Sequence, residues 1–542
     1  MLLLAALFLF ARPLCAQIAD EAFTGWLGGL RDGSYLDKEQ IVEQMTASGH
    51  PSTRATLAAF IEDRLFARNG DQRVFLVVSA DDALTTLALI DPLTLRPDGA
   101  ASRDDLTKIG TNNRLRRVLR MAIARFDLDS ADVDVRREAV KSLLSGTIDD
   151  AVAALLQQRL GVERDGTVRR EIETGLALAA LDGTDHDARL AAVHTLSSRL
   201  SADVRNRLAA LLEQGSDGRY AEPDAQIRAA AAAAVQSIDS RRWLYSVVET
   251  LFFGLSLGSV LVLVSIGLAI TFGVMGVINM AHGELMMLGA YTTYVVQTAM
   301  PNHVGASIVV AIPAAFLVAG LVGIVIERTI IQFLYGRPLE TLLATFGVSL
   351  VLQQGVRSIF TALNRSVETP SWMSGTWQIN GALSLTYNRL YIVLFTLIVF
   401  GLLQLVLKRT RLGLDIRAVS QNRTMARAMG IRSRWVDAMT FGLGSGIAGV
   451  AGVALSQLTN VGPNLGQSYI IDSFMVVVFG GVGNLWGALI GGMSMGIVNK
   501  LLEPFAGAVL AKIVVLVALI LFIQRRPRGL FPQTGRAAES QS

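Results

Sequence analysis

Two different hydrophobic patterns divide this chain. From residue 247 to residue 524 it is a series of long apolar runs with almost no acid. Crossing a bilayer takes about 20 helical residues. Runs near that length fall at 247–272, 284–300, 305–326, 341–361, 390–408, 435–457 and 507–524, and they predict membrane-spanning helices. The stretch 470–499 differs. Two shorter apolar pieces flank GGVGNLWG there, which predicts either two short spans or a re-entrant pair. Glycines spaced by four, at Gly254/Gly258, Gly483/Gly487/Gly491 and Gly492/Gly496, predict close helix packing.

Residues 17–240 carry the shorter period of amphipathic helices. DVRREAVKSLL begins at Asp134, TVRREIETGLALA at Thr167, DARLAAVHTLSSRL at Asp187 and DAQIRAAAAAAVQSI at Asp224. Each sets apolar residues at helical spacing behind an Asp or Thr that can cap the helix. Val135 to Val168 marks a repeat of 33 residues. Such units resemble HEAT-type hairpins, which stack because one hairpin cannot bury its apolar face alone. A plain irregular helical bundle fits the same pattern. Val74 to Val78 reads as a strand, and the region of Pro92 and Pro97 as loop. The expected fold class is all-α: a polytopic helical membrane domain at 247–531, preceded by an α-helical, HEAT-like extracytoplasmic domain at 17–240.

Residues 1–16 read as a secretory signal peptide. Leu2 to Phe10 form a short apolar core, and Leu14-Cys15-Ala16 ends on a small residue suited to cleavage. Cys15 is the single cysteine of the 542 residues, so an intrachain disulfide and a cysteine-based zinc cluster are excluded. Five scattered histidines show no zinc spacing, so no metal site is expected. A net charge of +4 with no basic–aromatic patch argues against nucleic acid. No catalytic constellation and no cofactor motif appears. The chain has no Gly-Lys dipeptide and therefore no P-loop, so nucleotide hydrolysis would belong to a partner.

Charge sets the expected orientation. The loop 408–434 carries Lys408, Arg409, Arg411, Arg417, Arg423, Arg427, Arg432 and Arg434, and the tail carries Arg525, Arg526, Arg528 and Arg536. Both are expected in the cytoplasm of a multi-pass inner-membrane protein. Counting spans back puts residues before 247 in the periplasm, in agreement with the leader. Counting forward makes 470–499 start and finish on the outer side. Irregular backbone at membrane depth must be buried in protein or line a cavity. Gly480, Gly481, Gly483 and Asn484 are therefore a candidate pore element, or else a tight interhelical turn.

Asn279, His282 and Glu284 are further candidates for the solute path, expected at the cytoplasmic turn between the first two spans. Gln353 and Gln354, with Asn279 and Asn484, would suit a neutral amide. Arg357, Asp437, Asp472 and Lys512 fall near span ends, where they are expected to snorkel to water. The loop KRTRLGLDIRAVSQNRTMARAMGI predicts a basic amphipathic helix from Asp415 to Met429, with Ala426 and Gly430 one turn apart.

The A-x-x-x-G pattern in TMARAMGI resembles the coupling loop of ABC-importer permeases. The wider string RTRLGLDIRAVSQNRTMARAMGI, with VINMAHGELMMLGAY, GGVGNLWGALIGG and RRPRGLF, resembles the branched-chain amino-acid permease family. The acidic residue of many coupling loops is missing, since Thr424 and Met425 precede Ala426. The resemblance implies an ATPase-coupling role for Arg411, Gly413, Arg417, Ala426 and Gly430. It also implies cytoplasmic ATPase subunits, a second homologous permease, an extracytoplasmic solute-binding protein and membrane lipid as partners. The long N-terminal extension is similar to that of the family's urea-importer permeases, which makes urea the expected cargo and branched-chain amino acids the alternative. An ion-coupled secondary transporter is the competing class. It would place charge at the midplane, and no Asp, Glu, Lys or Arg lies between Glu249, at the start of the first span, and Glu284.

Overall fold

A computed structural model describes residues 20–79, 85–144, 148–216 and 218–531. The leader expected at 1–16 lies outside the described residues. The chain divides into two compact units, Met1–Asp239 and Ser240–Ser542.

The first unit opens on helices α1 (20–32), α2 (Tyr35–Ser48) and α3 (Thr53–Ile61). Ser34 and Asp37 cap α2 reciprocally, and Gly49 ends it in the left-handed region. Five strands follow: β1 (Leu65–Arg68), β2 (Val74–Val77), β3 (Thr86–Ile90), β4 (Pro97–Ser102) and β5 (Leu106–Lys108). They form an antiparallel sheet of order β4-β3-β2-β1-β5. The expectation of an all-helical domain over 17–240 is corrected here. Of the five strands the sequence predicts only β2, at Val74. The polar Pro97–Ser102 segment is an exposed edge strand, where proline and glycine are tolerated because half the backbone needs no sheet partner.

Six helices come next: α4 (Asn113–Leu128), α5 (Val133–Leu144), α6 (Asp150–Val162), α7 (Gly166–Leu181), α8 (His186–Ser197) and α9 (Ala202–Ala210). Helix α10 (Ala225–Met275) then begins, and the division between the two units falls inside it. Side chains of Asp149, Asp165, Asp185 and Ser201 cap α6 to α9. Arg136, Arg169, Arg189 and Arg228 stand four residues after Asp132, Asp165, Asp185 and Asp224. Each donates to carbonyl oxygens of the segment just before its own helix, such as Ser130 and Ala131 for Arg136 and Glu222 and Pro223 for Arg228. The expected caps Asp134, Thr167 and Asp187 are corrected: the capping acid stands two residues earlier, at Asp132, Asp165 and Asp185, and only Asp224 caps where expected. In each case an arginine ties down the segment that leads into the helix.

Glu163 ties the start of α5 to the end of α6. Its buried carboxylate accepts from Arg136 (2.9 and 3.1 Å) and from Arg159 (2.9 Å). Burial pushes the carboxyl up, but Arg136, the Asp165 amide and Arg159 outweigh it and hold the group at about 2. The folded value lies below the ordinary 4.5, so the stabilisation is complete above pH 4.5 and disappears as pH falls toward 2. It amounts to about 3 kcal/mol at neutral pH. Glu163→Gln is expected to speed hydrogen exchange across residues 160–170 at pH 7 and to flatten its dependence on pH in that acid window. Unchanged exchange in the variant would refute that tie.

The second unit contains the rest of α10, then α11 (His282–Ala299), α12 (Val304–Thr329) and α13 (Pro338–Phe360). A hairpin, β6 (Thr376–Asn380) and β7 (Leu383–Thr386), leads into α14 (Tyr387–Arg409). Helices α15 (Arg411–Gln421), α16 (Arg423–Ala428), α17 (Ser433–Ser456), α18 (Leu465–Gly480) and α19 (Leu485–Arg525) complete it. Six helices among the described residues are long and apolar enough to cross a membrane: α10, α12, α13, α14, α17 and α19. Helix α19 breaks at Gly507 (φ 74°), three residues after Pro504. The stretch 470–499 is thus most of α18, a four-residue turn and the first part of α19.

Helix α17 sits at the centre, buried on every side over Gly444–Ser456. Glycines let its neighbours approach to backbone contact. Gly289 of α11 meets Gly449, and Gly452 meets the Met286 carbonyl. Gly254 and Gly258 of α10 meet Gly492, Gly496 and Ile497 of α19, as their spacing predicts.

Candidate functional site

Helix α10 ends at Met275, and residues 276–281 are not helical. This segment does not form a turn at the end of the bundle. His282 Nε2 lies 3.0 Å from the Val264 carbonyl, eleven residues before Met275. At 1.5 Å per residue, that point is about 16 Å back along α10. Thr345 of α13 accepts from the Met280 amide at 3.1 Å. Ser349 and Gln353, further along α13, donate to Glu284 Oε1 at 3.1 and 2.8 Å. The expectation that Asn279, His282 and Glu284 lie at a span-end turn is corrected by these contacts. The chain doubles back between helices, and α11 starts part-way along the bundle. The apolar run 284–300 hid this, because hydropathy reports length and not depth.

Polar atoms at this break are buried and only half satisfied. Asn279, His282 and Glu284 are each at most 1% exposed. Asn279 Oδ1 accepts from the Ala281 amide at 3.0 Å, but its Nδ2 has no partner among the described residues. A carbonyl only accepts, so His282 Nε2 carries the proton, and Nδ1 holds an unused lone pair in the neutral ring. Glu284 Oε2 is also without a partner among the described residues. Gln353 belongs to this cluster; Gln354, on the neighbouring position of α13, is exposed and does not.

Gly480, Gly481, Gly483 and Asn484 build a separate element. Gly481 (φ 102°) and Gly483 (φ 79°) occupy backbone conformations that favour glycine. Asn484 caps α19 by accepting from the Trp486 and Gly487 amides at 3.0 and 3.2 Å. The C-terminal tail closes over this turn: Leu530 and Phe531 donate to the Phe479 and Gly480 carbonyls at 2.9 and 3.1 Å. Gly483 packs on Gly273, two residues before the end of α10. The turn and the tail thus share the bundle end that carries Met275, away from Glu284.

The basic loop folds into two helices, not the continuous one expected over Asp415–Met429. Asn422 breaks it and caps α16 by accepting from the Met425 amide at 2.9 Å. Thr410 caps α15 through Gly413, where a side chain would strike the Leu407 backbone. Arg417 donates to the Leu407 carbonyl, while Arg411 is exposed. Ala426 is buried against α15 and α17 with Ile416, Val419 and Val436, so it is not on the outer surface. Gly430 (φ 87°) is exposed and ends the α16 turn. Met425 and Met429, 61% and 78% exposed, form the outer apolar face of α16.

Behind that face lies a charge cluster that hydropathy concealed. Arg423 binds Asp437 of α17 through two bonds of 2.9 and 2.8 Å. Its guanidinium stacks on the Tyr335 ring, 4.9 Å from the centroid, and Tyr335 donates to Glu327 at 2.9 Å. Burial, then the Asp437 and Glu327 carboxylates, push the Tyr335 hydroxyl far above its ordinary range, so it stays a donor. Of the four charged residues expected to snorkel, Asp437 and Asp472 are paired inside the fold, Asp472 with Lys512 at 2.9 Å. Arg357 reaches Asn464 at 2.7 Å. An acid close to an apolar run was the available signal for Asp437.

A multi-span apolar bundle with a broken backbone and buried polar atoms at mid-length defines a polytopic membrane transport protein. Residues 250–523 match the model of the branched-chain amino acid transport system / permease component family. The chain belongs to that family. It is 32% identical over 301 residues to the high-affinity branched-chain amino acid transport system permease protein LivH of Escherichia coli (strain K12), covering 54% of this chain and 97% of that protein. It is 30% identical to BraD of Pseudomonas aeruginosa, a permease protein of the same description, over 53% of this chain and 96% of the relative. A more distant likeness, 24% over 45% of this chain and 74% of the relative, is to the ribose import permease protein RbsC of Haemophilus influenzae. No solved structure matches the chain.

Proposed function

We propose that this chain is the membrane-spanning permease subunit of an ATP-driven importer of branched-chain amino acids or closely similar solutes. Its partners are cytoplasmic ATPase subunits, a second homologous permease and an extracytoplasmic solute-binding protein. The loop containing α15 and α16 faces the cytoplasm with the tail, and the unit before residue 240, with its HEAT-like helices, lies in the periplasm. The descriptions of LivH and BraD support the amino-acid cargo. Urea is the second reading. It is favoured by the N-terminal unit, because LivH aligns over 97% of its own length to only 54% of this chain.

The observation that carries the coupling reading is the build of α16. A short helix shows two methionines outward and is clamped from behind to α17 and to the segment after α12. Flexible, polarizable methionines suit a surface that must dock on a moving partner. Arg411, Gly413 and Arg417 set the angle at which the loop leaves α14, and Gly430 ends the docking turn. When ATP closes the partner subunits, a push on α16 would pass through Arg423 to α17 and alternate the access of the bundle. Met425→Glu combined with Met429→Glu is expected to lose most co-purifying ATPase and ATP-driven uptake, while membrane insertion is kept. Normal co-purification and uptake would refute the docking face.

A further inference from the structure

We propose that the break between α10 and α11 is the cargo-binding site of the bundle, and that it takes a small solute presenting N–H donors together with a carbonyl or carboxylate oxygen. The inference rests on the transport reading above and adds where and how the cargo is held.

Three atoms define the chemistry. Among the described residues, Glu284 Oε2 and His282 Nδ1 are unused acceptors, and Asn279 Nδ2 is an unused donor. All come from six consecutive residues in the non-helical segment and the first turn of α11. Each has a second atom fixed by the fold: Oε1 by Gln353 and Ser349, Nε2 by Val264, and Oδ1 by the Ala281 amide. The side chains are therefore held in place while one polar atom on each is left free. A buried polar group without a partner is destabilising, and a carboxylate inside an apolar bundle more so. Three such atoms within six residues leave hydrogen-bonding capacity that a ligand can meet. Two acceptors and one donor match N–H groups on one side of a solute and oxygen on the other. An α-amino acid offers this through its ammonium and carboxylate, and urea through its amides and carbonyl.

Irregular backbone in a membrane bundle is stable only when enclosed by protein or lining a cavity, and here it separates two helices that need not move together. Gly283, next to Glu284, touches Gly466 at the start of α18. A shift of α18 would open or close this point directly.

The test uses the complete transporter in liposomes, with labelled leucine and labelled urea supplied in parallel. Glu284→Gln keeps the shape and removes the charge. Asn279→Asp keeps the Oδ1 cap and turns the free donor into an acceptor. Both are expected to raise the KM of the transported solute about tenfold or more, the size of one hydrogen bond to a charged partner. Val351→Ala, on the exposed face of α13, is expected to leave KM unchanged. An effect read with leucine assigns Glu284 to an ammonium group, and one read with urea to an amide. Wild-type KM in whichever of the two variants assembles would overturn the site while the importer reading stands. Transport of neither solute by the wild type would overturn that reading and this site with it.

Discussion

Asp437→Ala is expected to abolish uptake and to lower the thermal midpoint of the purified protein. The variant leaves the Arg423 guanidinium facing the Tyr335 ring with no carboxylate, in a place where Asp437 is 1% exposed. Removing one partner of a buried ion pair costs about 3–5 kcal/mol, whereas replacing both by apolar groups costs little. Arg423 keeps 28% of its side-chain surface exposed, so water screens the orphaned charge and places the loss at the lower end of that range. The double variant Arg423→Met with Asp437→Leu separates stability from coupling. It is expected to recover the thermal midpoint but not the uptake, because the link between α16 and α17 stays cut. Uptake that returns with the midpoint would show that the pair is merely structural.

Gly452→Leu is expected to prevent assembly of the second unit. A side chain there would overlap the Met286 carbonyl oxygen and reach within 2.7 Å of the Ala290 amide, so α11 and α17 would have to separate. These helices meet along backbone at Gly289 and Gly449 as well. Separation would therefore undo the central packing and move the α11 break with it. Loss on this scale exceeds the few kcal/mol of an ordinary overpacking variant, and the protein should not be recovered as a single species in detergent. Gly401→Leu on α14, where a side chain meets nothing within 4 Å, is the control and should be recovered normally. A well-behaved Gly452→Leu protein would contradict the α11–α17 contact.

The helices between residues 132 and 228 were legible from their apolar period, but their caps were legible only at Asp224; those of α5, α7 and α8 fall on Asp132, Asp165 and Asp185, two residues before the expected positions, and the tie between Arg136 and Glu163 spans 27 residues. The sheet at 65–108 was mostly illegible. β3 reads as an apolar run, β4 is polar, and β5 has three residues. Each is a strand only because its neighbour is, and that pairing is not a sequence period. Asn279, His282 and Glu284 stood out as polar residues beside apolar runs, but their depth did not. Only the contacts with Val264, Ser349 and Gln353 give it, and those partners are 18 to 69 residues away. Ala426 taught the reverse lesson. The small residue on the helix expected over Asp415–Met429 reads as part of a docking surface, but the break at Asn422 turns Ala426 inward and leaves Met425 and Met429 outward.

The sequence by itself determined that this is a multi-span membrane protein with a separate N-terminal unit, a basic loop and no nucleotide-binding loop of its own. Hydropathy, charge and motif are written along the chain, and they act on whole segments. Tertiary structure alone decided that α10 and α11 are separated by a buried break, that Glu284 is held by α13, and that Arg423 clamps α16 to α17. Those outcomes depend on which helix lies beside which, and on a few backbone contacts between glycines far apart in sequence. A pattern that records only apolar length carries no such information.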